Sequence, residues 1–210
     1  MTSFDLFSIG HSNLPAARFT ALLRSAGVDA VADVRSVPAS RFCPWFSAKN
    51  LAPILGGEKI AYLWFGEALG GRPRDPTLYR DGIADYEAMA REPGFQAGLD
   101  RLVADAGLRR PCLMCSERDP LDCHRCLLVA RALAARGLTI GHILRDGTIE
   151  PHAATEERLL ELESGEGDLF ATGQRKRIAA AYRRRARAVA FRNKGAVPAD
   201  RKRSVNDGGR

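Results

Sequence analysis

The chain has 210 residues and a mass of 22.9 kDa, with 45% hydrophobic and 27% charged residues. These values are typical of a globular domain and exclude a collagen-like or a disordered chain. Arg131 and Arg136 interrupt the longest apolar stretch, and the first residues lack the basic and apolar regions of a signal peptide. We therefore predict no transmembrane segment and no export signal.

The net charge of +7 is unevenly distributed along the chain. Residues 171–210 contain 13 Lys and Arg against 2 acids, whereas residues 1–170 contain 19 basic and 23 acidic groups. This contrast predicts one domain over residues 1–170, followed by a basic, partly helical or disordered tail over residues 171–210. Five cysteines without an export signal are typical of a reducing compartment, so we expect a cytoplasmic protein.

Strand and helix patterns alternate in the first half of the chain. Apolar runs predict strands at Asp5–Gly10, Val28–Val34 and Ile60–Phe65. Between the first two, Ser12 or Asn13 is predicted to cap a helix that contains Pro15 and ends before Gly27. Pro38, Pro44 and Pro53 lead us to expect a loop over Ser36–Pro53.

The second half continues the alternation. The predicted elements are a short helix at Asp85–Arg91, a longer helix from Pro93 to Ala106, a strand at Pro111–Cys115, a helix capped by Asp119 or Asp122 and ending at Gly137, a strand at Leu138–Leu144, and a helix at Thr155–Glu163. This order predicts a three-layer α/β fold. A mostly parallel sheet of about five strands would be flanked by helices on both faces.

Ligands of parallel α/β sheets bind outside the carboxyl ends of the strands. At those ends the sequence places His11, Asp33, Arg35, Cys115 and Glu117. His142 lies inside a predicted strand and joins this group only if its side chain points the same way. A structural alternative remains open, in which Asp33 and Arg35 only pair with each other.

The cysteines allow three interpretations. Cys112, Cys115, Cys123 and Cys126 have the spacing of a four-thiolate zinc site, but residues three apart on a strand face opposite sides. Alternatively, Cys123 begins a helix, where backbone N–H groups and nearby arginines lower the thiol pKa and favour a nucleophile or a metal ligand. A third interpretation makes all five small buried side chains, to which we assign Cys43 and Cys126.

Several motifs occur together in a fixed order. They are Ser8-Ile9-Gly10-His11-Ser12, Asp33-Val34-Arg35 with Arg41, Leu69-Gly70-Gly71, Cys115-x-Glu117, Cys123-His124-Arg125, His142-Ile143, Pro151-His152 and Asp168-Leu169-Phe170. Over roughly residues 4–170 this set resembles the bacterial family called domain of unknown function 488. The resemblance implies a compact α/β fold and no particular reaction.

The resemblance also marks candidate site residues by position. They are His11, Asp33, Arg35, Arg41, Cys115, Glu117, Cys123, His124 and Arg125, with His142 and His152 as weaker members. The Cys112 and Cys126 positions and the tail are not part of the pattern. This weakens the four-cysteine zinc interpretation further.

An acid, arginines and a thiol suit an enzyme that acts on an anionic substrate, phosphate-bearing or nucleotide-like. Cys123 would attack the substrate while His11 or His124 moves a proton and Glu117 supplies a carboxyl group. The predicted substrate-binding residues are Asp33, Arg35, Arg41 and Arg125. A variant of this hypothesis places Fe or Zn among His11, Cys115, Cys123 and a carboxylate.

The basic tail supports a hypothesis of a different class. Residues 174–203 are rich in arginine, and Ile178, Tyr182, Ala186 and Val189 follow one another at helical spacing. Such a helix binds phosphates of DNA or RNA, or it is simply solvated. A non-catalytic interaction protein with a degenerate site is the third hypothesis.

Overall fold

The computed structural model describes residues 4–163 and 173–193. The strands are β1 Leu6–Gly10, β2 Ala30–Asp33, β3 Ala61–Trp64, β4 Tyr79–Arg80, β5 Ile83–Ala84, β6 Pro111–Cys115, β7 Ile140–Ile143 and β8 Ile149–Pro151. The helices are α1 Ala16–Ser25, α2 Ala48–Gly57, α3 Gly66–Leu69, α4 Tyr86–Met89, α5 Pro93–Ala106, α6 Arg131–Ala134, α7 His152–Leu162 and α8 Gln174–Val189. A π-helical segment, Arg125–Ala130, runs directly into α6, and short 3-10 turns occur at Pro44–Phe46, Pro76–Leu78 and Pro120–Asp122.

Six strands form one sheet in the order β3-β2-β6-β1-β7-β8. All neighbouring pairs are parallel except β7 with β8, which is antiparallel at the edge. Strands β4 and β5 form a separate antiparallel pair. The predicted three-layer α/β fold with a mostly parallel sheet is confirmed, with β8 as an edge strand that the sequence analysis missed.

An apolar cluster covers each face of the sheet. On one face, α1 and α2 pack with Phe19, Leu23 and Leu55 against the strands. On the other, α5, the π-helical segment and α7 pack with residues such as Leu99 and Leu159. Cys112 belongs to the first cluster and Cys115 to the second. The two cysteines therefore face opposite sides of β6, as the strand geometry predicts.

The connections explain where a crevice forms. The helices that follow β1 and β2 lie on one face, whereas those that follow β6 lie on the other. Strand β6 lies between β1 and β2, so the chain leaves neighbouring strands in opposite directions. A crevice opens at the carboxyl ends of strands at such a switch point.

Helix α2 corrects the loop expected over Ser36–Pro53. Pro53 lies inside this helix, where proline removes a backbone hydrogen bond. Leu51 and Leu55 on the same helix are completely buried. Burial of this face outweighs the cost of the proline, so tertiary packing overrides local propensity.

The helix predicted to end at Gly137 begins later than expected. Asp119 accepts a hydrogen bond from the Leu121 N–H and caps a 3-10 turn instead. Cys123 then occupies the start of the next helix, because its carbonyl oxygen accepts from the N–H groups of Cys126 and Leu127. The π-helical segment follows at once, and such widened turns are frequent at functional sites.

Two other helix starts differ from the prediction. Helix α1 begins after Pro15, without a side-chain cap from Ser12 or Asn13. Helix α7 begins at His152, three residues before the predicted start. The predicted domain boundary at residue 170 and the Asp168-Leu169-Phe170 motif lie outside the described residues.

Helix α8 packs on the body through Ala181 and Tyr182, which are almost fully buried. Its arginines pair with body carboxylates: Arg183 with Glu87, Arg185 with Asp122, and Arg187 with Asp81. Within the described ranges, no helix is long and apolar enough to cross a membrane.

Candidate functional site

Two cysteines and a histidine come together where β6 ends. The Nδ1 atom of His124 lies 3.7 Å from the Sγ atom of Cys115 and 3.9 Å from that of Cys123. All three ligand atoms lie within 4.8 Å of one another, and all three side chains are buried. Two groups bound to one tetrahedral zinc ion at normal bond lengths would be about 3.6–3.8 Å apart. The three residues, here called the Cys/His centre, could therefore hold a metal ion.

A backbone carbonyl fixes the orientation of the histidine. His124 Nε2 lies 2.9 Å from the Val34 carbonyl oxygen, which only accepts hydrogen bonds, so Nε2 carries the proton. This leaves Nδ1 facing both sulfur atoms. Gly71 packs against the other side of the ring, since a Cβ atom there would lie 2.7 Å from the ring carbon Cγ. Orientation of this kind is what a metal-binding imidazole requires.

Charges around the two thiols separate their pKa values. Burial by itself would raise the pKa of the Cys123 thiol, but the hydrogen bond from Cys115, the Arg125 guanidinium and His124 together hold it well below its ordinary value. The same hydrogen bond and burial raise the pKa of Cys115. Burial would lower the pKa of His124, yet the neighbouring Cys123 raises it overall. Both shifts favour the charged forms, a thiolate at Cys123 and a protonated imidazole at His124.

Arg125 lies beneath the Cys/His centre and is only 1% exposed. Its Nη1 and Nη2 atoms donate to the carbonyl oxygens of Glu117 and Arg118 at 2.7 and 3.1 Å, and its Nε has no hydrogen-bond partner in the described structure. The guanidinium therefore shapes the loop after β6 and supplies positive charge to the thiols. It does not line the cavity described next.

A cavity of about 630 Å³ opens over the Cys/His centre. Cys115, Cys123 and His124 all line it, together with Glu117 on the loop after β6. The size lies in the range of small-molecule sites. Burial and the nearby Cys123 raise the pKa of Glu117 against the opposing effect of Arg125. A carboxylate with a raised pKa beside a cavity suits proton transfer.

The predicted pair Asp33 and Arg35 forms a buried ion pair. The Arg35 guanidinium binds both carboxylate oxygens, at 2.8 and 2.6 Å, and also the Phe46 carbonyl oxygen. Tyr62 donates a further hydrogen bond to Asp33 at 2.7 Å. Arg35 reaches the cavity wall, although most of its hydrogen bonds are already used within the protein.

His11 joins this ion pair and not the Cys/His centre. Its ring stacks on Phe46, its Nδ1 donates to the Ser12 carbonyl oxygen, and its Nε2 accepts from Arg35 at 3.2 Å. Burial first, and then the nearby positive charge of Arg35, lower the pKa of His11 to about 4. His11 is therefore neutral at pH 7. Arg41 lies apart, exposed and stacked over Phe42.

A second buried group contains Cys126, His142 and His152. His142 Nε2 and His152 Nδ1 are 2.9 Å apart, which is the length of a hydrogen bond and shorter than the roughly 3.3 Å between two nitrogens on one tetrahedral zinc ion. His142 points into the interior, where its Nδ1 lies 2.6 Å from Ser8 Oγ. Neither histidine lines the cavity over the Cys/His centre.

Arg72 and Phe191 are among the residues of the cavity wall that the sequence did not indicate as site residues. Arg72 follows the Gly70-Gly71 pair, and Phe191 comes just after α8. The Arg72 guanidinium lies over the Phe191 ring at 4.8 Å from its centroid. Arg72 directly follows a motif glycine, which is a usable signal, whereas Phe191 offers none because its place depends on how α8 docks.

The fold and the site define a class of α/β protein with a Cys/His centre at the switch point of a parallel sheet. A comparison with protein-family models matches residues 15–132 to the family described as Domain of unknown function DUF488. The chain belongs to this family, and the resemblance seen in the sequence is confirmed. Comparisons with curated proteins and with solved structures found no match.

Proposed function

We propose that the protein is a metal-dependent enzyme that hydrolyses an anionic, phosphate-bearing substrate. The observation that carries this proposal is the Cys/His centre on the wall of a cavity: its three ligand atoms lie within 4.8 Å of one another, and His124 Nδ1 lies 3.7 and 3.9 Å from the two sulfur atoms. Catalytic zinc sites use three protein ligands and leave a fourth position for water or substrate. Two thiolates and an imidazole favour zinc among the candidate metals.

The chain's own residues support hydrolysis. A bound zinc ion would supply a water molecule of lowered pKa. Glu117 would take the proton of that water as its oxygen bonds to phosphorus, and would return the proton to the departing oxygen when the ester bond breaks. Arg72 on the cavity wall would hold the anionic group, because the charge of Arg35 is already neutralised by Asp33.

Metal analysis of cysteine variants tests this proposal. Protein purified with reductant and without chelator is expected to contain about one equivalent of zinc by mass spectrometry. Changing Cys115, Cys123 or His124 to Ala should abolish this content. The matched controls Cys112→Ala and Cys126→Ala should retain it, because those thiols lie outside the Cys/His centre. A four-cysteine zinc site would instead lose its metal in both controls.

The lowered pKa of Cys123 favours a second candidate function, in which this thiolate attacks the substrate directly. This candidate predicts no metal even after reconstitution with zinc or iron. It also predicts that iodoacetamide alkylates Cys123 faster than the other four cysteines. Absence of metal together with absence of selective alkylation would contradict both candidates and favour a non-catalytic protein.

Binding of DNA or RNA through residues 174–203 has less support. Arg183, Arg185 and Arg187 already pair with carboxylates of the body. Residues 194–203 lie outside the described residues. On α8, the exposed basic side chains at 175–177 would be the ones to contact phosphates of a nucleic acid.

A further inference from the structure

The segment after α8 forms one side of the cavity. The Ala84 N–H donates to the Phe191 carbonyl oxygen at 3.0 Å, and the Asn193 N–H donates to that of Gly82 at 2.8 Å. Ile83 and Arg192 form an antiparallel bridge. The segment therefore continues the small sheet of β4 and β5, and its backbone holds Phe191 in place.

This side of the cavity combines an aromatic ring with a cation. Phe191 is 36% exposed and lines the cavity together with Val189 and Val37. The Arg72 guanidinium stacks on the ring and makes no ion pair with any carboxylate in the described part of the chain. Arg35, in contrast, is neutralised by Asp33. Arg72 is thus the wall cation that is available to an anion.

We infer that the substrate carries a planar aromatic ring as well as its anionic group, as a nucleoside monophosphate does. The ring would pack against Phe191, and the phosphate would bind Arg72. An inorganic phosphate or a small sugar phosphate would leave the apolar side of a cavity of about 630 Å³ unfilled. This inference rests on the proposed function, which supplies the phosphate as the reacting group. The contacts to the aromatic ring and to the phosphate are made by Phe191 and Arg72.

Phe191 and Val189 lie outside the region matched by the family model, which ends at residue 132. Ring recognition would therefore come from the C-terminal part of this chain, whereas the Cys/His centre comes from the family domain. Phe191 is a specificity residue in this scheme. It touches the substrate away from the reacting atoms.

Calorimetric titration of the full-length protein as purified tests the inference. The probes are adenosine monophosphate and ribose 5-phosphate, which has a hydroxyl group in place of the aromatic base. Stacking of one base on an aromatic side chain predicts that adenosine monophosphate binds about tenfold more tightly. Phe191→Leu should remove this advantage and leave the affinity for ribose 5-phosphate unchanged, because it keeps an apolar side chain but no ring. Phe42→Leu is the matched control, since Phe42 is 83% exposed and away from the cavity.

Three results would overturn the inference: equal affinity for the two probes, an advantage that persists in Phe191→Leu, or no binding of adenosine monophosphate. Metal content measured on the same samples separates this inference from the proposed function. Zinc without ring preference would refute only the inference. Ring-dependent binding without zinc would refute only the metal-dependent mechanism.

Discussion

His124 is positioned by groups that do not themselves act on a substrate. The Val34 carbonyl oxygen accepts from its Nε2, and the absence of a side chain at Gly71 leaves space for the ring, since a Cβ atom there would lie 2.7 Å from Cγ of His124. Val34 directly follows the carboxyl end of β2, and Gly71 is the second glycine of the pair that follows α3. The last glycine of the Leu69-Gly70-Gly71 motif therefore has a physical explanation, which is its close approach to an imidazole ring, whereas Gly70 approaches Ser36 and the Gly66 carbonyl oxygen.

We predict that Gly71→Ala binds zinc more weakly while the protein remains folded. The added methyl group would lie 2.7 Å from Cγ of His124 and would displace Nδ1 from the two sulfur atoms. Because loss of ligand orientation weakens metal binding by about 10–100-fold, competition with a chromogenic chelator should show a shift of that size. Gly57→Ala is the control, since its added methyl group meets no atom within 4 Å. Equal zinc affinity in the two variants would contradict this account of Gly71.

The sequence indicated which residues lie at the site, but not which of them contact one another. Cys115, Glu117, Cys123, His124 and Arg35 all line the cavity. The partner of each residue depends on side-chain packing that sequence spacing does not reveal. His11 was a candidate metal ligand, yet it stacks on Phe46 and binds Arg35, whereas His124 contacts both thiols.

Among the secondary-structure elements, α7 and α8 are joined to the sheet by a chain of buried hydrogen bonds. Tyr182 donates to the Glu156 carboxylate, so its oxygen accepts from His152 Nε2 at 3.1 Å. His152 Nδ1 then accepts from His142 Nε2, and His142 Nδ1 accepts from Ser8. Each group in this series of hydrogen bonds has a hydrogen-bond partner only while His142 and His152 are both neutral.

We predict that Tyr182→Phe destabilises the protein by about 1–3 kcal/mol, because it removes the acceptor of the buried His152 Nε2–H, and the Glu156 carboxylate at 3.8 Å is beyond hydrogen-bond length. Urea denaturation at pH 8 measures this loss. The matched control is Tyr79→Phe, which removes a hydrogen bond to the Pro73 carbonyl oxygen at a partly exposed position. If Tyr79→Phe lowers the free energy of unfolding as much as Tyr182→Phe does, the buried series of hydrogen bonds is no more stabilising than a single hydrogen bond at a partly exposed position.

The periodic elements could be predicted from the sequence, including the four-residue helix α4, whereas the strands of two or three residues could not. Helix α5 and strands β1 and β6 follow their apolar patterns closely. Strands β4 and β5 have two residues each, and β8 has three, so they carry too little pattern to detect. Helix α2 contradicts its own proline signal because burial of its apolar face decides its conformation.

For the whole molecule, the buried histidines make stability depend on pH. Burial is the first cause that lowers the pKa of His11, His142 and His152, and for His11 the value is about 4. In the unfolded chain each would have a pKa near 6.5. The unfolded state therefore binds more protons below pH 6.5, and stability falls as the pH decreases from there toward the folded-state values. His11 alone would contribute about 3 kcal/mol over that interval.

Other groups help to define the measurement. His124 and Glu117 have raised pKa values and act in the opposite direction, but Glu117 is partly exposed and His124 is one histidine against three. The carboxyl pKa values of Asp5 and Asp119 are lowered from 3.8, so their contributions are lost only in stronger acid. Between pH 6.5 and 5 the lowered pKa values of these two aspartates therefore do not affect stability, and the histidines dominate its pH dependence.

The chain has 4 histidines, so each can be followed by NMR in metal-free protein. We expect the imidazole signals of His11 to stay at their neutral positions from pH 7.5 to 5.5 in the folded state, and those of His142 and His152 to titrate at lower pH in the folded protein than in urea, where all four titrate near pH 6.5. The urea midpoint should decrease over the same range, because the protons taken up on unfolding favour the unfolded chain. Folded-state titration of these three histidines near 6.5, or a constant midpoint, would mean that the buried histidine network does not limit stability in acid.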